Sequence, residues 1–247
     1  MATRFDGAGV VLHGWRCAAS NDARATMVLL HGIADNRSSW RGIIRRFTRQ
    51  RFEVVAYDGR AHGESGGDWC TYGFREKDDL RHVLDALSPR PVVLIGASLG
   101  AAIALQEAAE DSRVAAVVAV ETFSDLRTVA VERAPFFLTP STIRRAFSIA
   151  EHLAAFSVDD VSPVQAAGKI TAPTLVIHGG ADTETPPDHS RRVYAALAGP
   201  KRLLIVPEAQ HNHSLGGTGV PDAIDQWIAA ALDGHVASES GPNRPAK

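Results

Sequence analysis

An alternation constrains this chain more than any other feature. Short β-branched and apolar runs at 26–30, 52–57, 92–95, 114–120, 174–177 and 202–206 are separated by stretches of helical character at 39–50, 75–87, 99–109, 189–197 and 221–232. Unbroken apolar runs fit strands buried on both faces, and the stretches between them then act as crossover helices of a parallel sheet. Leu80, Val83, Leu84 and Leu87, at i, i+3, i+4 and i+7, form one stripe that faces such a sheet. The fold class is therefore α/β, with 10–16 expected as an antiparallel edge strand. One interval breaks the rhythm, since 121–172 spends about 50 residues where a crossover takes ~10–20. Pro135, Pro140 and Pro163 punctuate helix-like pieces there, which predicts a small helical cap over 121–172 inserted into a core of 1–120 and 173–233. The Ser-, Pro- and Gly-rich stretch 234–247 is expected to be a disordered tail.

Composition narrows the partners. At 247 residues, 45% hydrophobic and 22% charged, the chain can bury an ordinary core. Its 26 basic and 28 acidic residues leave a net charge of −2, and no basic run exceeds a pair, so nucleic acid is not an expected partner. Cys17 and Cys70 are too few for a disulfide framework or a Cys-based zinc site and are read as free thiols. No secretory pattern opens the chain and no apolar run approaches the ~20 residues that span a bilayer, so the expectation is no membrane span and a cytoplasmic protein.

In a parallel sheet all strands end on one edge, so polar residues after several strands converge however far apart they lie in sequence. Five runs end in such residues: His31-Gly32-Ile33, Asp58 to Gly63, Gly96-Ala97-Ser98-Leu99-Gly100, Gly179-Gly180-Ala181-Asp182 and Pro207 to His211. The third is a G-x-S-x-G between a strand and an alanine-rich helix, a setting that lifts a serine hydroxyl to the mouth of the sheet at a helix N-terminus. A serine hydroxyl attacks only when a base takes its proton and a carboxylate orients that base. His211 and Asp182 are the candidates for base and carboxylate. His213 could replace His211, and Asp125 could replace Asp182. Backbone N–H groups of Leu99 and Ile33 are the candidate oxyanion donors. The stretch Asp58 to Ser65 reads as a packed turn beneath the site. No His pair lies at metal-ligand spacing with a glutamate, and no nucleotide motif is present, so neither metal nor cofactor is expected.

Together these residues resemble the α/β-hydrolase fold superfamily from about Val10 to Leu232. The resemblance rests on Leu29-Leu30-His31-Gly32, the Asp58…Arg60…His62-Gly63…Ser65 block, Gly96 to Gly100, His178-Gly179…Asp182…Pro186 and Gln210-His211, with Ser, Asp and His in that family's chain order. In style it is similar to compact bacterial serine hydrolases grouped with serine aminopeptidases, monoglyceride lipases and esterases. The resemblance implies hydrolysis of an ester, thioester or amide through an acyl-serine, with a small ester-like molecule of small to medium acyl or aryl group as substrate. Ala61 and Gln210 depart from it, standing where the family usually has glycine. Two other classes remain open at this point. An aminopeptidase or amidase would hold a substrate ammonium with acids such as Glu121, Asp125 and Glu132. A non-catalytic ligand-binding protein would use the same fold without hydrolysis. Phe123, Phe136, Phe137, Phe147 and Phe156 in the expected cap either receive an apolar substrate group or pack the cap's helices. Oligomeric state is not legible.

Overall fold

A computed structural model describes residues 1–18 and 22–236, so the expected tail lies outside the described residues from 237 onward. Eight strands, β1 (Ala2–Asp6), β2 (Val11–Cys17), β3 (Thr26–Leu30), β4 (Glu53–Tyr57), β5 (Val92–Ala97), β6 (Val114–Val120), β7 (Thr174–Gly179) and β8 (Lys201–Val206), form one sheet in the order β1-β2-β4-β3-β5-β6-β7-β8. The pairs β1/β2 and β2/β4 are antiparallel, and every pair from β4 to β8 is parallel. The fold is α/β with a mostly parallel central sheet. Its edge differs from the expectation, because β1 lies outside β2 and pairs with it over all five residues. Only Phe5 of β1 is buried, so this terminal strand lacks the apolar run that marks the others.

The helices are α1 (Arg41–Arg49), α2 (Glu76–Asp85), α3 (Leu99–Ala108), α4 (Leu126–Glu132), α5 (Pro140–Ala154), α6 (Pro163–Ala167), α7 (Asp188–Ala196) and α8 (Val220–Leu232). They cover both faces of the sheet, as the strand pattern requires. Alternate residues of β3 point to opposite layers. Val28 and Leu30 pack in a core with Leu80, Val83 and Leu84 of α2 and Leu99 and Ile103 of α3. Met27 and Leu29 pack with Ile44 and Phe47 of α1 and Ile224, Trp227 and Ile228 of α8. Each such burial contributes about 1.5–3 kcal/mol before entropy is subtracted. All ten residues of α3 are buried, and its alanines let this helix lie close behind the sheet.

Between β6 and β7 the chain forms α4, α5, a 3₁₀ turn (Val158–Asp160) and α6. The prolines start helices here. Thr139 and Ser162 cap α5 and α6 through their hydroxyls, each followed by proline at the first helical position, where its missing N–H costs nothing. Phe123, Leu126, Val129, Val158 and Val161 form a third cluster with Ala102, against which Phe147 and Phe156 pack. By contrast, α5 buries only Ala154 among its 15 residues. No described helix is long and apolar enough to cross a membrane.

Candidate active site

Ser98 sits on a backbone corner between β5 and α3, at φ 51° and ψ −113°, a left-handed conformation that costs a non-glycine residue about 1–2 kcal/mol. Its neighbours in sequence permit the corner. A Cβ at Gly96 would collide with the Gly100 carbonyl, and one at Gly100 with the Leu30 carbonyl of β3. The Ser98 N–H donates to the Val120 carbonyl at 2.8 Å, which ties the corner to the end of β6.

Three strand ends meet at this corner. His211, from the loop after β8, places Nε2 3.2 Å from Ser98 Oγ and Nδ1 2.7 Å from Asp182 Oδ2, the carboxylate after β7. With Nδ1–H donated to the carboxylate, Nε2 holds its lone pair toward the serine hydroxyl. The three residues are buried, and Ser98 and His211 line the floor of an open space. Burial opposes charge on His211, but the Asp182 hydrogen bond and the Asp182 and Glu121 carboxylates outweigh it and raise its pKa above 6.5. Burial would likewise raise Asp182, yet hydrogen bonds from His178, His211 and the Thr185 amide hold it well below the usual carboxylate range. The carboxylate is therefore charged and the imidazole a stronger base than a free one.

Two further residues complete this arrangement. Glu121, directly after β6 and at φ 53°, accepts hydrogen bonds from the amides of Asn212 (2.5 Å) and Ser214 (3.1 Å) and from the Ser214 hydroxyl (2.5 Å). It lies 3.9 Å from His211 Nδ1, so one buried carboxylate both pins the histidine loop and adds negative charge beside the ring. From the sequence alone Glu121 stands out only as a holder of a substrate ammonium. The strand-end rule that found Ser98 also marks it, since it follows the 114–120 run, but no glycine draws attention to it. His178 is the second. Its Nε2 faces Asp182 Oδ2 at 3.2 Å and the Thr185 carbonyl at 2.7 Å while Nδ1 meets the Ser190 hydroxyl at 2.6 Å. Two acceptors on Nε2 make it the protonated nitrogen, so His178 donates to the same carboxylate oxygen as His211. Glu121, Asp182 and His211 place ligand atoms within 4.8 Å of one another. All three already have protein partners in the hydrogen bonds above.

The alternative residues lie elsewhere. Asp125 caps α4, accepting from the Thr128 amide at 2.8 Å and the Ser124 hydroxyl at 2.8 Å. His213 is exposed and begins a 3₁₀ turn. The three acids considered for an ammonium are likewise occupied, with Glu132 bonded to His189 Nε2 at 2.7 Å.

Leu99 opens α3 and Ile33 follows β3, and neither amide has a hydrogen-bond acceptor among the described residues. His31 braces the Ile33 loop. Its Nε2 accepts from the Gly59 amide at 2.9 Å, so Nδ1–H donates to the Gly32 carbonyl at 2.7 Å, and burial lowers its pKa, keeping it neutral. Below, Asp58 accepts from the Arg37 and Glu64 amides and the Arg37 guanidinium, closing the turn through Ser65. Ala61 occupies φ 58° in that turn, so the missing glycine leaves strain there. Gln210 is not left-handed, whereas Glu208 and Asn212 on either side of it are, at φ 60° and 67°; no glycine is required before His211.

A cavity of about 660 Å³ opens over Ser98. Ile33, Trp40, Ile43, Ala97, Val120 and Leu215 supply apolar wall, and Asp35, Arg133, Glu184 and Asn212 supply polar groups. None of the five phenylalanines of 121–172 lines it. Phe123, Phe147 and Phe156 belong to the third cluster, so for them packing is the observed role.

Comparison with known proteins agrees with this fold. A family model described as the alpha/beta hydrolase fold matches residues 25–139. The uncharacterised protein YqkD of Bacillus subtilis is 30% identical over 204 residues, covering 78% of this chain and 67% of its own. This chain belongs to the α/β hydrolase fold family. The uncharacterised YfhR of Escherichia coli K12 is 29% identical over 214 residues, 82% of this chain and 70% of that protein. Among solved structures, an esterase from Pyrococcus furiosus superposes with a TM-score of 0.72 at 23% identity, covering 94% and 91% of the two chains. An acetyl xylan esterase from Paenibacillus superposes with a TM-score of 0.75 at 20% identity, covering 93% and 83%. At these identities the two structures speak for the α/β hydrolase fold alone.

Proposed function

We propose that this protein is a serine hydrolase that cleaves carboxylic esters or thioesters of small to medium acyl or aryl groups, with Ser98 as nucleophile. The observation that carries this reading is the Ser98–His211–Asp182 hydrogen-bonded chain at the base of the 660 Å³ cavity. Ser98 Oγ attacks the carbonyl carbon as its proton passes to His211 Nε2, and Asp182 balances the imidazolium that forms. The carbonyl oxygen becomes an oxyanion held by the Leu99 and Ile33 amides, each worth ~3–4 kcal/mol to the transition state. His211 returns its proton to the departing alcohol or thiol, leaving an acyl-serine. Water, deprotonated by His211, then releases the acid and restores Ser98.

The cavity volume falls within the ~300–1,000 Å³ that suits a small molecule, and its apolar wall suits an acyl or aryl group. Residues 121–172 serve as a small cap in this reading, contributing Glu121 and Arg133 to the lining. The esterase neighbours are consistent with ester substrates. A fluorophosphonate probe and a series of p-nitrophenyl esters test the proposal. The expected result is a covalent adduct on Ser98 and turnover of short and medium acyl chains, with anilides of amino acids far slower. An adduct that persists in Ser98→Ala overturns the assignment of the nucleophile, and a preference for long acyl chains overturns the substrate size.

A further inference from the structure

The segment from α4 to the end of α5 carries apolar side chains that the protein itself does not cover. Phe136 is 100% and Phe137 70% exposed, paired edge to face with ring centroids 5.7 Å apart. Ile149 and Leu153 are 50% and 53% exposed. A helix lying on a core hides one apolar stripe and shows a polar one. In α5, Ile143 and Phe147 face inward, half-buried, with Phe147 packed against the third cluster. On the opposite side, Arg145, Ile149 and Leu153 at i, i+4 and i+8 form an exposed row. Phe136 and Phe137 thus form an exposed aromatic pair, and Ile149 and Leu153 add exposed apolar area farther along the same segment.

Charge identifies what covers it. The chain as a whole carries −2, yet residues 136–153 carry two arginines against one acid, Glu151, whose carboxylate accepts the Val158 amide at 3.0 Å. Just before it, Arg133 is engaged, donating to the Glu184 carbonyl and the Thr185 hydroxyl at 2.8 and 2.6 Å. Arg144 and Arg145 are exposed and form no ion pair among the described residues, whereas Arg127 nearby is paired with Asp159. Aromatic and aliphatic groups beside unpaired arginines match a bilayer surface of anionic phospholipid, which takes the rings into its interfacial layer and the guanidinium groups onto its phosphates. A second copy of this chain fits less well, since a two-fold contact centred on α5 would set Arg144 and Arg145 near their own counterparts.

The geometry points to residues 136–153 as a docking surface for an anionic phospholipid bilayer, on which the protein rests without spanning it. Docking there has a consequence for the cavity. Arg133 borders the cavity and lies three residues before Phe136, so their Cα atoms are at most ~11 Å apart. A docked protein holds this side of the cavity close to the lipid surface.

Vesicle co-sedimentation with full-length Ser98→Ala protein tests the docking apart from any hydrolysis. Phosphatidylcholine vesicles with about 30 mol % phosphatidylglycerol are expected to bind at least about 10-fold more protein than pure phosphatidylcholine vesicles, with the difference fading as salt rises. The double variant Phe136→Ser/Phe137→Ser, altering exposed side chains that pair with each other, is expected to lose about 10-fold in binding. Arg144→Ser/Arg145→Ser is expected to lose the preference for anionic vesicles. Failure to bind the anionic vesicles overturns the proposal. So does a dimer in light scattering that Phe136→Ser/Phe137→Ser dissolves, because the face would then be covered by a second copy.

Discussion

Beside the Ser190–His178–Asp182 set that buttresses the carboxylate, two sets among the described residues join a serine, a histidine and a carboxylate by hydrogen bonds, and only one of the two opens onto the cavity. In the first, Ser98 Oγ lies 3.2 Å from His211 Nε2, and His211 Nδ1 lies 2.7 Å from Asp182. In the second, Ser124 Oγ lies 2.9 Å from His189 Nδ1, and His189 Nε2 lies 2.7 Å from Glu132. Distances alone favour the second. Its surroundings do not. The lone pair on His189 Nδ1 is shared with the Ser124 amide at 3.1 Å and the Arg192 guanidinium at 2.8 Å, and the Ser124 hydroxyl also meets Asp125. Burial, aided by the Arg192 charge and against the pull of Glu132, lowers the pKa of His189, whereas carboxylates raise that of His211. A general base must become a cation, and only the first site is arranged to hold one. Ser124 is fully buried and does not line the cavity, while Ser98 lies under 660 Å³ of open space. The second set is a clamp that ties the start of α4 to α7.

Neutralising the acid in each set breaks or sharpens this contrast most. Asp182→Asn is expected to lower kcat for a p-nitrophenyl ester by about 10³–10⁴-fold, and Glu132→Gln to leave it within about twofold. Comparable losses in steady-state assays of the two variants would erase the distinction. Stability reverses the ranking. Ser124→Ala removes a buried hydroxyl bonded to both His189 and Asp125 and is expected to cost about 1–2 kcal/mol in urea unfolding, while Ser98→Ala, whose partner faces an open cavity, changes it by less than about 0.5 kcal/mol.

Smaller effects come from pH. Because His211 must be neutral to act as base and its pKa is raised, kcat/KM is expected to climb with a midpoint above 6.5. Glu121→Gln removes one of the charges that raise it, so the midpoint moves down by a fraction of a unit, and Glu132→Gln leaves it in place. An unmoved midpoint in Glu121→Gln would leave Glu121 with the loop alone. The two rings also act oppositely on stability. The raised His211 contributes stabilisation that is full below 6.5 and is lost as pH rises through its folded value, while the lowered His189 contributes above 6.5 and loses it as pH falls through its own.

Much of the first site was legible because it is written in chain-local terms. Gly96 and Gly100 flank Ser98 within one turn, and the Asp182 and His211 loops each follow an apolar run that a reader can recognise as a strand. β1 was missed because a half-exposed edge strand of five residues has no run to recognise. Glu121 and His178 were legible as residues but not as parts of the site, and the five phenylalanines gave no sign of whether they faced a substrate, a core or solvent.

Periodicity and turn chemistry in the sequence were enough to determine the α/β class, the strained corner at Ser98 and which loops share the rim of the sheet. Tertiary structure alone decided that His211 rather than His213 reaches Ser98, that Glu121 pins the histidine loop, and that Ser124 and His189 form a clamp. A strand's rise and a helix's turn are properties of neighbours along the chain. Which lone pair meets which proton depends on ångström-scale placement of residues 29 to 113 positions apart in the chain, and on the water each partner loses when they pack.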